Sequence, residues 1–113
     1  MSVQLTSRVN GGVTVIDASG KLTLGEGTSS LRGKIRELVQ GGARHIVLNL
    51  SDVSYMDSSG LGELIAGHTT LAQAGGEMKL LNLAKRVHDL LQLTKLYTVF
   101  EVFEDEQAAV KSF

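Results

Sequence analysis

The spacing of apolar residues along the chain changes several times, and each change marks an element boundary. Val3-Gln4-Leu5-Thr6-Ser7-Arg8-Val9 alternates roughly with period two, Asn10-Gly11-Gly12 interrupts it, and Val13-Thr14-Val15-Ile16-Asp17-Ala18-Ser19 resumes it. Two alternating runs around an Asn-Gly turn, which readily supplies positive φ, predict a hairpin at one edge of a sheet. Gly20-Lys21-Leu22-Thr23-Leu24-Gly25 reads as a loop. Leu31, Ile35, Leu38 and Val39 then recur at helical spacing, with Arg32, Lys34, Arg36 and Glu37 on the other faces. Thr28 or Ser29 is the expected cap of this helix, and Gly41-Gly42 ends it. Ile46-Val47-Leu48-Asn49-Leu50 is almost continuously apolar, as suits a central parallel strand covered on both faces.

The stretch Ser54-Tyr55-Met56-Asp57-Ser58-Ser59-Gly60-Leu61-Gly62-Glu63-Leu64-Ile65 reads as the end of a loop running into a second helix. Leu61, Leu64 and Ile65 set its apolar face, Leu71 and Ala72 carry that face onward, and Gly75-Gly76 stops it after Gln73. Met78 to Leu83 is the next strand, and Val87, Leu90, Leu91 and Leu93 mark a short third helix. Val99-Phe100-Glu101-Val102-Phe103 alternates and reads as the last strand, with Asp105 to Phe113 a closing helix. Strands alternating with helices predict one α/β domain over residues 1–113. Its mixed sheet has roughly four to five strands, the N-terminal hairpin strand antiparallel and the others mostly parallel, with about four helices mainly on one face. Ile46, Val47, Leu48, Leu50, Leu64, Ile65, Leu80 and Leu91 are the expected core.

Composition narrows the function classes. A chain of 113 residues, 42% hydrophobic and 20% charged, fits one soluble globular domain. Such a chain buries about two-thirds of the surface it exposes unfolded. A net charge of −1 gives no reason to expect nucleic acid or a membrane surface as partner. The absence of cysteine excludes disulfides, thiol catalysis and cysteine-ligated metal. Met1-Ser2-Val3-Gln4 carries no basic or apolar leader and no run reaches transmembrane length, so a cytoplasmic protein is the expectation.

Catalytic chemistry is not visible. His45, His68 and His88 fall in three different elements with no metal-ligand spacing, and His68, beside the apolar stripe of the second helix, suits a hydrogen-bonded packing role. Ser58 lies near Gly60 and Gly62, yet Met56 and Asp57 break the Gly-x-Ser-x-Gly nucleophile elbow. The glycines between Gly20 and Gly27 lack the Gly-Lys-Ser/Thr ending of a phosphate-binding loop. No enzyme, cofactor or metal site is expected. The acidic residues Glu101, Glu104, Asp105 and Glu106 read as a solvated end of the molecule.

What stands out is Asp57-Ser58-Ser59. All three residue types cap helices, because their side-chain oxygens accept from backbone N–H groups that the first turn leaves unpaired. Free donors and the positive end of the helix dipole then surround two adjacent hydroxyls, either of which tolerates negative charge. On physics alone the triplet is a cap. Gly60 and Gly62 beside it offer a flat approach for another protein's backbone, and Gly67 suits either that or packing on the sheet. Of Tyr55 and Met56, one belongs in the core.

Met56-Asp57-Ser58-Ser59-Gly60-Leu61-Gly62, preceded by Arg44-His45-Ile46-Val47-Leu48-Asn49-Leu50 and Ser51-Asp52-Val53, resembles the signature of the STAS domain, more narrowly of bacterial anti-sigma factor antagonists of the sporulation and general-stress type. Gly20-Lys21-Leu22 and Gly75-Gly76-Glu77-Met78 extend the likeness over nearly the whole chain. The resemblance implies a protein that, unphosphorylated, binds an anti-sigma factor and so releases a sigma factor. That anti-sigma factor is a serine kinase of the histidine-kinase ATPase fold, and a PP2C-type phosphatase reverses its action. Carried over by position, Ser58 is the phospho-acceptor, and Asp57, Ser59, Gly60, Gly62 and Thr23 join it in the partner-binding face. Chemistry alone does not separate Ser58 from Ser59. The likeness departs at Thr23-Leu24-Gly25-Glu26, where such antagonists often carry an acidic residue earlier. A STAS subunit of another signalling scaffold or transporter accessory complex, or a small-ligand or nucleotide-binding STAS module, is the alternative.

Overall fold

The computed structural model describes residues 3–23 and 26–113. A five-stranded sheet runs in chain order, β1 (Gln4–Asn10), β2 (Val13–Leu22), β3 (His45–Met56), β4 (Glu77–Leu81) and β5 (Val102–Phe103). β1 pairs antiparallel with β2, and every later pairing is parallel. The helices are α1 (Glu26–Gln40), α2 (Ser58–Gln73), α3 (Lys85–Leu93) and α4 (Glu106–Lys111). The expected mixed sheet and its strand order are therefore what the chain forms. The hairpin turns on Gly11 and Gly12, both at positive φ (60° and 82°), which a side chain would resist, and not on the expected Asn10-Gly11 pair, because Asn10 stays in β1 opposite Val13.

β3 is the spine. Ile46, Leu48 and Leu50 point into a core shared with Leu31 and Ile35 of α1, Leu61, Leu64 and Leu71 of α2, and Val87 and Leu91 of α3. Val47 points the other way, into a smaller cluster with Val13, Val15, Leu81 and Ala109 of α4. Three helices thus cover one face, and α4 covers part of the other. The continuous apolar run at 46–48 is what double coverage requires.

Several boundaries differ from the sequence expectation; β4, expected to reach Leu83, ends at Leu81, where Asn82 takes a left-handed conformation (φ +56°). β3 does not stop at Leu50 but continues to Met56, where a loop was expected. The reason is in its register: Asp17 to Ser19 of β2 faces Asn49 to Asp52, and Gly20 to Lys21 faces Val53 to Tyr55. β3 gains one residue at each shift, and these bulges put Val53 and Met56, three apart, on the buried side. β2 likewise extends through Gly20, Lys21 and Leu22, expected as loop, because β3 continues beside it; Leu24 and Gly25 lie outside the described residues. α1 begins at Glu26, so Thr28 and Ser29 stand inside its first turn rather than capping it. The last strand is confined to Val102–Phe103, since Leu96–Thr98 closes a 3-10 turn behind Lys95, whose φ is +61°.

Ile65, expected in the core, is 38% exposed. The buried face of α2 runs instead through Gly60, Leu61, Glu63, Leu64, Gly67 and Leu71. α1 sets that choice, since a Cβ on Gly67 would crowd Ile35 Cδ1. Glu63 is buried and receives two hydrogen bonds from Arg32 of α1, one of them 2.9 Å from Nε.

The outer face carries a polar clamp between the hairpin and α4. Arg8 donates to Asp17 at 2.7 Å and to Glu106 at 2.7 Å from Nη1, while Asn10 and Asn49 donate to Glu106 and Asp17. The acidic residues near the C-terminus are thus more than a solvated end: Glu106 joins this clamp, Asp105 caps α4, and Glu101 lies 3.4 Å from Lys79. The Arg8 guanidinium holds both Asp17 and Glu106 below the usual carboxylate range. Because the folded-state values are lowered, the clamp's contribution is full above the unfolded carboxylate pKa and fades as pH falls through the folded values. Arg8 is 45% exposed, so solvent screening limits that contribution to about 0.5–1 kcal/mol. Arg8→Gln should therefore lower stability by about that amount near pH 7 and by less near pH 2. Denaturant unfolding at both pH values checks this; an equal loss at the two would show that charge is not what the clamp contributes.

Candidate functional site

The end of β2, the end of β3 and the start of α2 converge at one corner. Met56 is buried as the last residue of β3, while Tyr55 is 39% exposed with the Arg86 guanidinium 6.0 Å from its ring centre, so the core takes one of the two as expected. Asp57 then turns the chain into α2. Its backbone is extended (φ −105°, ψ −173°) and its Oδ1 accepts from the Gly60 N–H at 3.0 Å, as an N-cap does. The Asp57 carbonyl accepts the first intrahelical bond, from the Leu61 N–H at 3.0 Å.

Ser58 is the first helical residue and is exposed, and Ser59 after it is half-buried. Gly60 is buried. The contact that needs it is internal: a Cβ there would overlap the Leu22 carbonyl oxygen and lie 2.8 Å from Met56 Cγ. The expected role of Gly60 as a landing place for a partner's backbone is thereby corrected, because the chain's own second strand occupies the space. Gly62 is exposed with nothing within 4 Å of the Cβ position, so its side of the helix is open. Gly67 packs against α1. Thr23, half-buried, directly follows the residue that Gly60 seats, so chain connectivity brings it to the same corner as Asp57 and Ser58.

The expected site residues therefore sit together, with Gly60 beneath the surface rather than on it. Arg86 at Tyr55 belongs beside this corner and was not visible in the sequence, because nothing local ties α3 to the end of β3. The three histidines are apart: His45 stacks on Phe113 with ring centres 4.7 Å apart, His88 is exposed beside Asp89, and His68 meets Phe100 edge-on at 5.5 Å. His68 packs as expected but without the expected hydrogen bond, since its Nδ1 is buried and has no partner. Among the described residues no group of His, Asp or Glu could hold a metal ion, and no helix is long and apolar enough to cross a membrane. Chemically, the corner offers an exposed hydroxyl on a rigid, capped helix start.

Comparison with known proteins agrees with this geometry. The model of the STAS domain family matches residues 4–109. The chain is 32% identical over 112 residues to an anti-sigma F factor antagonist of Paenibacillus polymyxa, covering 97% of this chain and 94% of that protein. It is 35% identical over 81 residues to an anti-sigma-B factor antagonist of Bacillus subtilis, covering 72% of this chain and 73% of that one. The solved structure of the Bacillus cell fate determinant SpoIIAA in its phosphorylated form superimposes with a TM-score of 0.73 at 27% identity, over 98% of both chains.

The corner makes separable predictions for stability. Asp57→Ala removes the cap and should cost about 1 kcal/mol. Gly60→Ala drives a methyl into the Leu22 carbonyl and should cost about 2–3 kcal/mol. Gly62→Ala, in open space on the same helix, should gain about 0.5–1 kcal/mol. Urea unfolding of the three variants checks the pattern; equal effects at Gly60 and Gly62 would refute the seating of α2 on β2.

Proposed function

This chain belongs to the STAS domain family, in its anti-sigma factor antagonist group, and from that membership we propose that it is a phosphorylation-switched antagonist of an anti-sigma factor. In its unphosphorylated state it docks on an anti-sigma factor that is also its serine kinase, of the histidine-kinase ATPase fold, and the sigma factor is released. Phosphorylation of Ser58 ends the docking, and a PP2C-type phosphatase restores it. The cytoplasm, where sigma factors act, is the compartment this reading requires. No catalytic step falls to the chain itself.

The observation that carries the reading is the place of Ser58, exposed at the first position of a helix whose cap is supplied by Asp57. A kinase must reach the hydroxyl, and the product must not unfold its own helix. Ser59, half-buried, meets the first condition less well. That the relative SpoIIAA has been described in both an unphosphorylated and a phosphorylated form supports the same chemistry. A phosphoserine adds about −1.5 to −2 charges at neutral pH. Pressed into a docked interface beside Asp57, that charge is desolvated against a like charge, at roughly 2–5 kcal/mol. Binding then weakens on the order of 30- to 4,000-fold.

Two substitutions test this with the partner kinase in hand. Ser58→Ala should take up no phosphate and keep its binding to the kinase. Ser58→Asp should stay folded and bind more weakly, with a smaller loss than phosphate causes because its charge is smaller. Mass spectrometry of the kinase-treated protein locates the modification. Phosphate on Ser59 would move the acceptor by one residue, and phosphate on neither serine would remove the switch.

A further inference from the structure

A sheet edge presents a row of unpaired N–H and C=O groups, and proteins usually blunt it by keeping it short or by placing lysine, proline or a bulge there. β5 is blunted by length, since it has two residues. β1 is not. Its seven residues include no lysine or proline and pair with consecutive residues of β2, without a bulge. Among the described residues nothing pairs with its outer edge. Its one charge, Arg8, is turned onto the α4 face and held by Asp17 and Glu106. The two-residue turn at Gly11-Gly12 makes Asn10 and Val13 a hydrogen-bonded pair. By alternation, the backbone groups of Leu5, Ser7 and Val9 then point away from β2, along the open edge.

The side chains along this edge complement a second copy of themselves. Leu5 is half-buried against the three-helix core, and Val9, four residues on and so on the same face, is 75% exposed. Beside Leu5 a groove of about 460 Å³ opens between β1 and α1, with nothing within 4 Å of where a Gly33 Cβ would stand. A second β1, turned antiparallel about a two-fold axis at Ser7, would pair Gln4 with Asn10, Leu5 with Val9 and Thr6 with Arg8. All of the strand is then used, with roughly six new backbone hydrogen bonds. Each Val9 lies across from the other copy's Leu5, at the mouth of the groove, and only Ser7 faces itself. An axis at Arg8 would instead oppose two guanidiniums, and an axis at Thr6 would leave Val9 beyond the paired strands. We infer that β1 is the interface of a two-fold symmetric dimer, in which two sheets join edge to edge about Ser7. The contact is small, so the dimer is a weak one, with a dissociation constant on the order of 0.1 mM. No residue of the Ser58 corner lies on β1, so the inference stands apart from that switch.

The test is sedimentation equilibrium of the full chain from about 10 µM to about 1 mM, with amide chemical shifts followed over the same range. The unsubstituted chain should pass from monomer to dimer, with concentration-dependent shifts centred on residues 4–10 and 33–37. Ser7 is exposed, so Ser7→Lys and Ser7→Glu should stay folded. Each alone sets like charges against each other at the axis and should weaken self-association about fivefold. An equimolar mixture of the two should associate at least as tightly as the unsubstituted chain, because lysine then faces glutamate. A chain that stays monomeric to about 1 mM, a dimer that neither substitution weakens, or a mixture no tighter than either variant alone would overturn the inference. So would shifts that map to another surface, such as the exposed Leu93 and Tyr97.

Discussion

The close seating of α2 on the end of β2 is the constraint from which the rest of the functional corner follows. Gly60 lets the first turn of the helix approach the Leu22 carbonyl at a distance that any side chain would prevent. That approach fixes where Asp57 caps, and the cap fixes the backbone of Ser58. It also needs β3 to continue beside β2 as far as the pair Leu22 and Met56, which is why two bulges are accommodated rather than the strand ending at Leu50. A rigid start of α2 is then a product of the sheet and not only of local capping. Glu63, one turn further along and bonded to Arg32, ties the same helix to α1.

The two layers over the sheet are held by different means. The three-helix face is an apolar core that runs from Val3 to Phe100, in which side-chain shape and volume decide the fit. The α4 face has a small apolar cluster and depends more on polar anchors at both ends of a short helix. Near its start Glu106 meets Arg8, and just past its end the ammonium of buried Lys79 donates to the Ser112 carbonyl and hydroxyl at 3.1 and 2.8 Å. The same ammonium lies 4.6 Å from the Phe113 ring centre, so its charge is met by oxygen and by a ring face together. A lysine 2% exposed in a sheet would be costly without those partners. Packing of α4 and burial of Lys79 are thus one arrangement.

How far the sequence announces this structure depends on how local each cause is. A helix cap within Asp57-Ser58-Ser59, a hairpin turn at Asn10-Gly11-Gly12 and the double-sided strand at Ile46 to Leu48 were legible because capping, turn chemistry and periodicity act within a few residues, though which residue caps and which pair turns came only with the fold. The second half of β3 was not, because each bulge shifts the alternation and Val53 and Met56 fall three apart, a spacing that reads as neither strand nor helix. Ile65 was misplaced because it adjoins Leu64 in sequence but sits about 100° around the helix from it, and the packing of α1 chooses the side. Gly60 shows the limit most clearly. Its small size signals that something approaches closely, but only the fold reveals that the approaching atom is Leu22's own carbonyl oxygen.

Magnitudes decide how a modification at Ser58 would act. At the first position of α2 a phosphate faces the positive end of the helix dipole and its unpaired N–H groups, which favours it by about 0.3–1 kcal/mol at an exposed site. Within the free protein the modification is therefore tolerated or mildly stabilising, and it gives no reason for the fold to change. The same charge enclosed by a partner loses its hydration and faces Asp57, at roughly 2–5 kcal/mol. The second effect exceeds the first and appears only in the complex. On the proposed reading, control then resides in the interface, and the rigidity that Gly60 and Asp57 impose on the corner is compatible with switching because no moving part is needed.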